Sequence, residues 1–268
     1  VPLYLNTLLA SGQGQIWVDY LDRVETLFDT TTGMYQWVVH EGIGHYTGNG
    51  WNLYNSLNSG LPDASFYQIR KDPQGNIWVS AGAGLARFNG VWTFFPSGQA
   101  GLPDVYMEHF DIDTLGNFWF PDGNFGFYSY DGTQSLHFVH PDLHPYIGGG
   151  NILCENNGTV WQTTLFHLIR FDGTQWNTFS EDNSPLPFGN ITALAVDMHG
   201  HKWIGTQMGL FVYREDGIIL GTPAIPTTPE TPVRAFPNPF TESFRIEVSV
   251  PCPDAEVEQI GRASWRER

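Results

Sequence analysis

Short apolar segments with aromatic anchors recur along this chain, and polar turns separate them. Each segment is a few residues long and is bounded by Gly, Asn or Asp, which favours short strands over helices. The anchoring tryptophans are spaced by 41, 41, 42 and 42 residues: Trp37, Trp78, Trp119, Trp161 and Trp203. A period of this length predicts stacked units, because a single unit cannot bury both of its faces.

A turn with the pattern acid-x-x-Gly-x-x-Trp precedes each anchor. It occurs at 72–78, 113–119, 155–161 and 197–203, with a looser copy at 29–37. We interpret the acid as a turn residue that accepts backbone N–H groups, and the glycine as the residue that takes a positive φ. A calcium loop is the alternative, but each turn offers too few oxygen ligands.

Three further elements complete each unit. An aromatic strand follows the anchor, an Asn-Gly or Asp-Gly turn follows that strand, and another strand comes next. A Gly-Leu-Pro segment at 60–62 or 101–103 then leads to the following unit. Four short strands in about 42 residues are the content of one propeller blade. We therefore predict an all-β propeller of four-stranded antiparallel blades over residues 1–220, with five blades visible.

The repeated pattern D-x-x-G-N-I-W-V, continuing to G-L-x-R-F and G-L-P, resembles the two-component-regulator propeller repeat over roughly residues 24–220. That resemblance implies an extracytoplasmic sensor region or a secreted protein. It also implies a seven-bladed ring, so we expect N-terminal blades that this chain does not contain. The fragment GQIWVDY at 14–20 has two interpretations. It is either the remnant of a degenerate blade or a strand that closes the ring by pairing with the last blade.

Composition narrows the classes of partner. The chain has 12 basic and 28 acidic residues, a formal charge of −16, which disfavours nucleic acid and anionic membrane surfaces. It contains no apolar run of 18 residues that could span a membrane. The glycine-rich SAGAGLAR at 80–87 recurs in other units as a hairpin turn and no helix follows it, so we expect no phosphate cradle and no cofactor.

The C-terminal region departs from the repeat. Residues 221–234 are rich in Pro and Thr and predict an extended linker. Residues 235–258 contain PNPF followed by alternating FRIEVSV, which resembles the start of a type IX (Por) secretion sorting domain. The resemblance implies the type IX secretion machinery as a partner and the surface of a Gram-negative bacterium as the location. Residues 259–268 fit no strand pattern and resemble read-through of adapter DNA, so we expect them to be non-native.

Positions at which the copies differ are the better functional candidates. With the inner strands aligned on the turn glycine, five polar residues are expected to line the central channel: Gln68, Arg70, Glu108, His109 and Asp111. The alternative is a hydrated channel whose charges pair internally, such as Arg70 with Asp111. Loop candidates at one end of the blades are His40, Glu41, Asp122 and Asn124, together with Tyr67, Tyr106 and Tyr146 as surfaces for sugar rings.

These residues favour binding over catalysis. The histidines of HFVHPDLH at 137–144 match no metal-site spacing, so we expect no metal. No nucleophile motif appears. We predict a secreted or cell-surface binding module for a glycan or a surface protein. The alternatives are a sensor ectodomain of a hybrid histidine kinase and a glycoside hydrolase or lyase that uses Glu108, Asp111 or Asp122.

Overall fold

The computed structural model describes residues 7–12, 14–31, 33–123, 126–141, 150–187, 189–197, 199–214, 217–221, 234–236 and 245–247. Within these ranges the regular structure is entirely β, and no helix is long and apolar enough to cross a membrane. Twenty strands form five four-stranded antiparallel sheets. The predicted propeller blades are thereby confirmed.

The blades follow one another along the chain. Blade 1 contains β1 (Leu8–Gly12), β2 (Gln15–Asp29), β3 (Met34–Tyr46) and β4 (Trp51–Tyr54). Blade 2 contains β5 (Ile69–Lys71), β6 (Ile77–Ser80), β7 (Gly84–Phe88) and β8 (Trp92–Pro96). Blade 3 contains β9 (Asp111–Ile112), β10 (Phe118–Pro121), β11 (Gly126–Tyr130) and β12 (Ser135–Val139). Blade 4 contains β13 (Ile152–Cys154), β14 (Val160–Thr163), β15 (Leu168–Phe171) and β16 (Trp176–Phe179). Blade 5 contains β17 (Ile191–Val196), β18 (Lys202–Thr206), β19 (Gly209–Arg214) and β20 (Gly217–Gly221).

The innermost strands are neighbours in chain order: β1 contacts β5, β5 contacts β9, β9 contacts β13, and β13 contacts β17. Among the described residues, no comparable contact joins β17 to β1. Because the strands are antiparallel, the acidic turns and the Asn-Gly or Asp-Gly turns share one end of the blades, which we call the turn end. The β2–β3 type hairpins and the connections between blades lie at the other end, which we call the mouth end.

Each seam between blades is built from two distinct faces. The forward face of a blade carries the anchor tryptophan and packs on the next blade, as Trp78 and Leu85 of blade 2 pack with Met107 and Phe118 of blade 3. The rear face packs on the preceding blade, as Trp92 does with Trp17 and Ile43 of blade 1. The Gly-Leu-Pro segments and the related Ser-Pro-Leu-Pro segment at 184–187 seal the seams, since their leucines are buried in these clusters: Leu61, Leu102 and Leu186.

The acidic turn has a second role that the sequence pattern does not disclose. In blade 3, Asp113 Oδ1 accepts the backbone N–H of Asn117 at 2.9 Å, and Oδ2 accepts the indole N–H of Trp119 at 3.1 Å. The same indole bond forms at Trp78, Trp161 and Trp203. N–H donors therefore occupy these carboxylates, which favours the turn interpretation over calcium. No cluster of metal-ligating side chains is found in the described ranges.

Blade 1 departs from the predicted alignment. Trp17, not Trp37, is the anchor: it is buried on β2, opposite Leu9 of β1 and His45 of β3. Trp37 lies on β3 instead. The fragment 14–20 is therefore neither a remnant nor a closing strand but the second strand of a complete blade. The position six residues before Trp17 is Ser11 instead of an acid. Within the described part of the chain, the buried indole N–H and the serine hydroxyl have no hydrogen-bond partner.

A long hairpin explains the shift. Beyond the four-stranded part of blade 1, residues 20–29 of β2 pair only with residues 34–42 of β3 and form a two-stranded ribbon at the mouth end. Phe28 lies opposite Tyr35 and Val24 opposite Val39, so these four side chains share one face, and all are exposed. The inserted ribbon contains Trp37, which lies 41 residues before Trp78. Trp37 therefore continues the tryptophan spacing although it is not the anchor of blade 1.

The C-terminal predictions lie largely outside the described residues. Within residues 221–268, the structure describes only Gly221, β21 (Arg234–Phe236) and β22 (Arg245–Glu247), and the two strands pair with Ala235 opposite Ile246. The strand β22 falls within the predicted FRIEVSV strand. The proposed linker, the sorting segment beyond these strands and the tail at 259–268 are not described.

Candidate functional site

Three of the five residues predicted to line the channel form side-chain hydrogen bonds to a neighbouring blade. Gln68 is buried, and its side-chain Oε1 accepts the backbone N–H of Phe110 at 2.9 Å. Arg70 Nε donates to Asp111 Oδ1 at 3.1 Å, which is the internal ion pair considered as the alternative to a binding surface. Asp111 Oδ2 also accepts the N–H of Cys154 at 2.8 Å. This carboxylate therefore links blades 2, 3 and 4, and both of its oxygens accept hydrogen bonds from neighbouring blades.

The accessible polar groups lie nearer the mouth end. Tyr67 precedes β5 and Tyr106 precedes β9, so the two connections bring their side chains together although 39 residues separate them. Their hydroxyls share a hydrogen bond, and the rings meet edge to face with centroids 5.8 Å apart. Tyr106 is 66% exposed. A large aromatic face is thus held open to solvent beside a fixed phenol.

Two carboxylates, those of Glu108 and Glu41, lie close enough to Tyr67 to raise its pKa. Burial first, then the bond with Tyr106 and the charges of Tyr106, Glu108 and Glu41, together raise the pKa of Tyr67 to about 12. Tyr67 therefore stays protonated at neutral pH. Glu108 is accessible and lies 4.0 Å from the ring of His109. Glu41 Oε2 accepts the N–H of Phe66 at 2.9 Å, which fixes it beside Tyr67. We call Tyr67, Tyr106, Glu108 and Glu41 the mouth cluster.

The glycine-rich turn of blade 2 positions this cluster. Gly82 exchanges two backbone hydrogen bonds with Met107, the residue after Tyr106. Its φ is +60°, and a Cβ built there would lie 2.8 Å from the Tyr106 ring. Only glycine accommodates both features. The sequence identified this turn as a hairpin but not its contact with a tyrosine from the next blade, for which the pattern carries no signal.

The remaining loop candidates do not join the mouth cluster. His40 is buried at the base of the ribbon, and its Nδ1 lies 2.7 Å from Asp63 Oδ1. Asp122 accepts the N–H of Gly126 at 3.1 Å, and its Oδ2 lies 2.8 Å from His137 Nε2 on the outer strand of blade 3. Asn124 and Tyr146 lie outside the described residues. The contacts of His40 and Asp122 fix blade edges and do not line the channel.

The turn end carries a separate feature. An open depression of about 350 Å³ lies between the acidic turns of blades 2 and 3, and it is lined by Lys71, Asp72, Pro73, Ile112, Asp113 and Thr114. Its two carboxylates already accept indole N–H groups. The mouth cluster is therefore the better candidate, because its tyrosine face and Glu108 remain accessible.

The fold and its repeated seams define a β-propeller repeat protein. Residues 60–82, which run from a Gly-Leu-Pro segment through β6, match the family model of the two component regulator propeller. The curated proteins contain no match to the chain.

Solved structures share the architecture at low identity. An extracellular domain assigned to a one component system of B. thetaiotaomicron aligns with TM-score 0.58 and 18% identity, over 80% of this chain and 27% of that chain. Virginiamycin B lyase from Staphylococcus aureus aligns with TM-score 0.59 and 16% identity, over 82% of this chain and 71% of that chain. PorZ, a surface component of the type-IX secretion system of Porphyromonas gingivalis, aligns with TM-score 0.51 and 20% identity, over 75% and 31%.

These similarities establish the fold. The chain spans about a quarter of the length of the first of these domains. One fold thus carries a bacterial extracellular domain, a virginiamycin B lyase and a surface component of a secretion system, so function has to be argued from the site.

Proposed function

We propose that this chain is the ligand-binding propeller of a secreted or cell-surface protein, and that the ligand binds over the mouth cluster. The observation that carries the proposal is the convergence of Tyr67 and Tyr106 from two blade connections with accessible Glu108. Exposed aromatic faces and a few fixed polar groups are what a recognition site requires. The residues in the interior of the channel hold the site in place, because their charged groups pair across blades, as Arg70 does with Asp111.

Oligosaccharide is the ligand class that this chemistry suits. The apolar face of a sugar ring packs on an exposed tyrosine ring, and its hydroxyls donate to carboxylates. The Tyr67 phenol stays protonated at neutral pH, since its pKa is raised to about 12, and it supplies a neutral polar partner. A surface protein that presents a similar apolar and hydroxylated patch is the second ligand class.

An extracellular location is part of the proposal. Propellers of this fold include extracellular domains assigned to one component and hybrid two component systems. A ligand-sensing ectodomain is therefore the alternative to a free-standing binding module. We favour the module because the PNPF sequence at 237–240 follows the Pro/Thr-rich segment at 221–234.

The same segment motivates export through the type IX secretion machinery. A fluorescent protein fused to residues 221–258 is expected to reach the medium or surface of a bacterium that has this machinery. Retention of the fusion in the periplasm would contradict this part of the proposal.

Hydrolysis is a weaker proposal than binding. A lyase shares this fold, but of the three carboxylates proposed for catalysis, Asp111 pairs with Arg70 and Asp122 pairs with His137. A catalytic pair needs both carboxyl groups at one bond. The observed contacts assign Asp111 and Asp122 to separate places in the fold.

The experiment is a glycan-array screen followed by titration of the best ligand. Tyr106→Ala removes the exposed ring and is expected to weaken binding at least tenfold, about 1.4 kcal/mol. Tyr35→Ala is the matched control, because Tyr35 is similarly exposed but lies on the ribbon. A ligand that binds Tyr106→Ala as tightly as the unmodified protein would exclude the mouth cluster as its site.

A further inference from the structure

The ribbon of blade 1 extends a sheet beyond the propeller body. In blade 2 the corresponding hairpin turns between Ser80 and Gly84, whereas in blade 1 the two strands continue as far as Asp29 and Met34 before they turn. At about 3.3 Å per residue, residues 20–29 make an arm roughly 30 Å long. Among the described residues, the two strands of this arm pair only with each other.

The ribbon exposes apolar side chains on both of its faces. Four of them share one face and are 49–71% exposed: Val24, Phe28, Tyr35 and Val39. The rings of Phe28 and Tyr35 have centroids 5.0 Å apart, so they form one aromatic surface. Leu27 and Met34 belong to the opposite face by alternation and are exposed as well. Residues of these types are buried in the seams between blades, whereas here they contact solvent.

The edges of the ribbon lack the features that usually protect an exposed strand. Natural edge strands are blocked by Lys, by Pro or by a bulge. Residues 24–39 contain no Lys, Arg or Pro and are rich in Val, Thr and aromatic residues, which favour strands. The bulge in this hairpin lies near its base, between Leu21 and Arg23. Because a ribbon of two strands is marginally stable in water, a third strand would stabilise it.

The base of the ribbon is acidic. Arg23 is the only Lys or Arg in residues 20–42, and its guanidinium already pairs with Asp22 and Glu25, each at 2.9 Å. The carboxylates of Glu41 and Asp63 also lie here, since Asp63 contacts His40 on β3. The acids outnumber the one guanidinium, and the whole chain has a formal charge of −16. A positively charged partner is therefore favoured.

We propose that the ribbon is the docking site for an extended segment of a protein partner, which adds to it as a third strand. Apolar residues of the segment cover Phe28 and Tyr35, and alternate Lys or Arg residues face the side of Glu25, because successive side chains of a strand point to opposite faces. Backbone hydrogen bonds give an added strand its affinity, and its alternate side chains give specificity.

This site is distinct from the mouth cluster. Tyr35 lies six residues along β3 from Glu41, which corresponds to about 20 Å in an extended strand. The partner strand and the ligand of the mouth cluster therefore contact different side chains, and each can be tested without the other.

A second copy of this chain fits the ribbon less well than a partner strand does. A face of two strands about 30 Å long covers roughly 300 Å², so two ribbons packed face to face would bury about 600 Å², half of what a stable interface needs. Both copies would also carry the same acids at the base of the ribbon. An added strand gains backbone hydrogen bonds in addition to the apolar area.

The test selects peptides of about twelve residues from a displayed random library, with residues 1–268 as the target at physiological salt. Such a peptide is long enough to span the ribbon when extended. The best peptide is then titrated against the unsubstituted protein and against the double variant Phe28→Thr, Tyr35→Thr, which keeps strand-forming residues but removes the aromatic surface. Tyr106→Thr is the matched control, because Tyr106 is 66% exposed and Tyr35 is 71% exposed.

We expect the selected peptides to alternate apolar residues with Lys or Arg. The double variant is expected to weaken binding at least tenfold, and Tyr106→Thr is expected to leave it unchanged. Two N-methylated forms of the peptide, one on its odd and one on its even residues, are expected to differ at least tenfold in affinity. The reason is that an added strand donates only every second N–H group to its neighbour.

Hydrogen exchange gives a second readout. The amides of residues 24–39 are expected to exchange more slowly when the peptide is bound, and the same measurement on the free double variant checks that the ribbon still forms. If it does not, Val24→Thr with Val39→Thr tests the same face nearer the base and is expected to weaken binding as well.

Three results would overturn the proposal: a selection that enriches no peptide, equal binding by the ribbon variants and the unsubstituted protein, or equal affinities of the two N-methylated peptides. A dimer mass that the double variant converts to a monomer mass would overturn it in favour of a second copy.

Discussion

Blades 2 to 4 and the two end blades are built from the same repeat, yet they differ in what their apolar residues contact. Leu85 in blade 2 is enclosed by blade 3, whereas Leu210 occupies the same position in blade 5 and faces solvent. The local pairing is the same, because each lies on the third strand opposite the residue two beyond the anchor tryptophan. A repeat thus specifies a blade, but the burial of that blade depends on its neighbour.

A second difference concerns the acidic turn. In blades 2 to 5 a carboxylate joins the turn to the anchor indole. Blade 1 has Ser11 in that place, and the indole of Trp17 has no hydrogen-bond partner among the residues that the structure describes. Blade 1 compensates with aromatic packing, since the Trp17 and His45 rings stack with centroids 3.7 Å apart. The motif is therefore a stabilising bond that one blade lacks, and the blade forms without it.

The largest expected effect contrasts the two leucines. Leu85→Ala opens a cavity in a closed seam and is expected to lower the free energy of unfolding by about 3 kcal/mol. Leu210→Ala removes a partly exposed side chain and is expected to cost less than about 1 kcal/mol. Urea unfolding of residues 1–268 measures both. Equal losses would show that the two leucines are equally buried in solution.

The next effect contrasts the two kinds of turn. Asp72→Ala removes acceptors for the Asn76 side chain and the Trp78 indole, and it is expected to destabilise the protein by about 2 kcal/mol. Ser11→Asp supplies the acceptor that blade 1 lacks and is expected to stabilise it by about 1 kcal/mol. Urea unfolding measures both, with Asp182→Ala in an exposed loop as the control. A destabilising Ser11→Asp would mean that the Trp17 indole cannot reach this turn.

The smallest effect is a pH dependence in blade 5. Burial of Asp197 acts to raise its pKa, but the indole of Trp203 and the N–H groups of His201 and His199 lower it to about 2. Because this lies below the ordinary value of 3.8, the carboxylate stabilises the fold above about pH 4, and that stabilisation disappears as the pH falls towards 2.

Asp197→Asn separates this contribution from general acid unfolding. We expect the stability difference between the two proteins to be constant above pH 4 and to shrink between pH 4 and pH 2. A difference that is independent of pH over this range would show that the carboxylate charge does not contribute.

The period was readable from the sequence because turn chemistry is local. An acid, a glycine and a tryptophan at fixed spacing satisfy one turn with bonds that span only six residues, as from Asp72 to Trp78. The first blade was misaligned for the converse reason. Trp37 continues the tryptophan spacing, and only the pairing of Trp17 with Leu9 and His45 shows which tryptophan is the anchor.

The candidate site was predictable by region but not by residue. Register predicted Arg70, Asp111 and Gln68 along the channel, and bonds to neighbouring blades occupy all three side chains. Tyr67 and Tyr106 belong to different connections, and their contact depends on the angle at which two blades meet. Neither the hydroxyl pair nor the packing of Gly82 against Tyr106 has a local signature.

By itself, the sequence determined the repeat, the four strands of blades 2 to 5 and the position of the acidic turn in each of them, since these depend on residues within about 42 positions of one another. The tertiary structure decided which tryptophan anchors blade 1, which polar groups of the channel pair internally and which apolar faces remain uncovered. Those outcomes depend on contacts between blades, where the free energy of burial is realised only when a second surface is present.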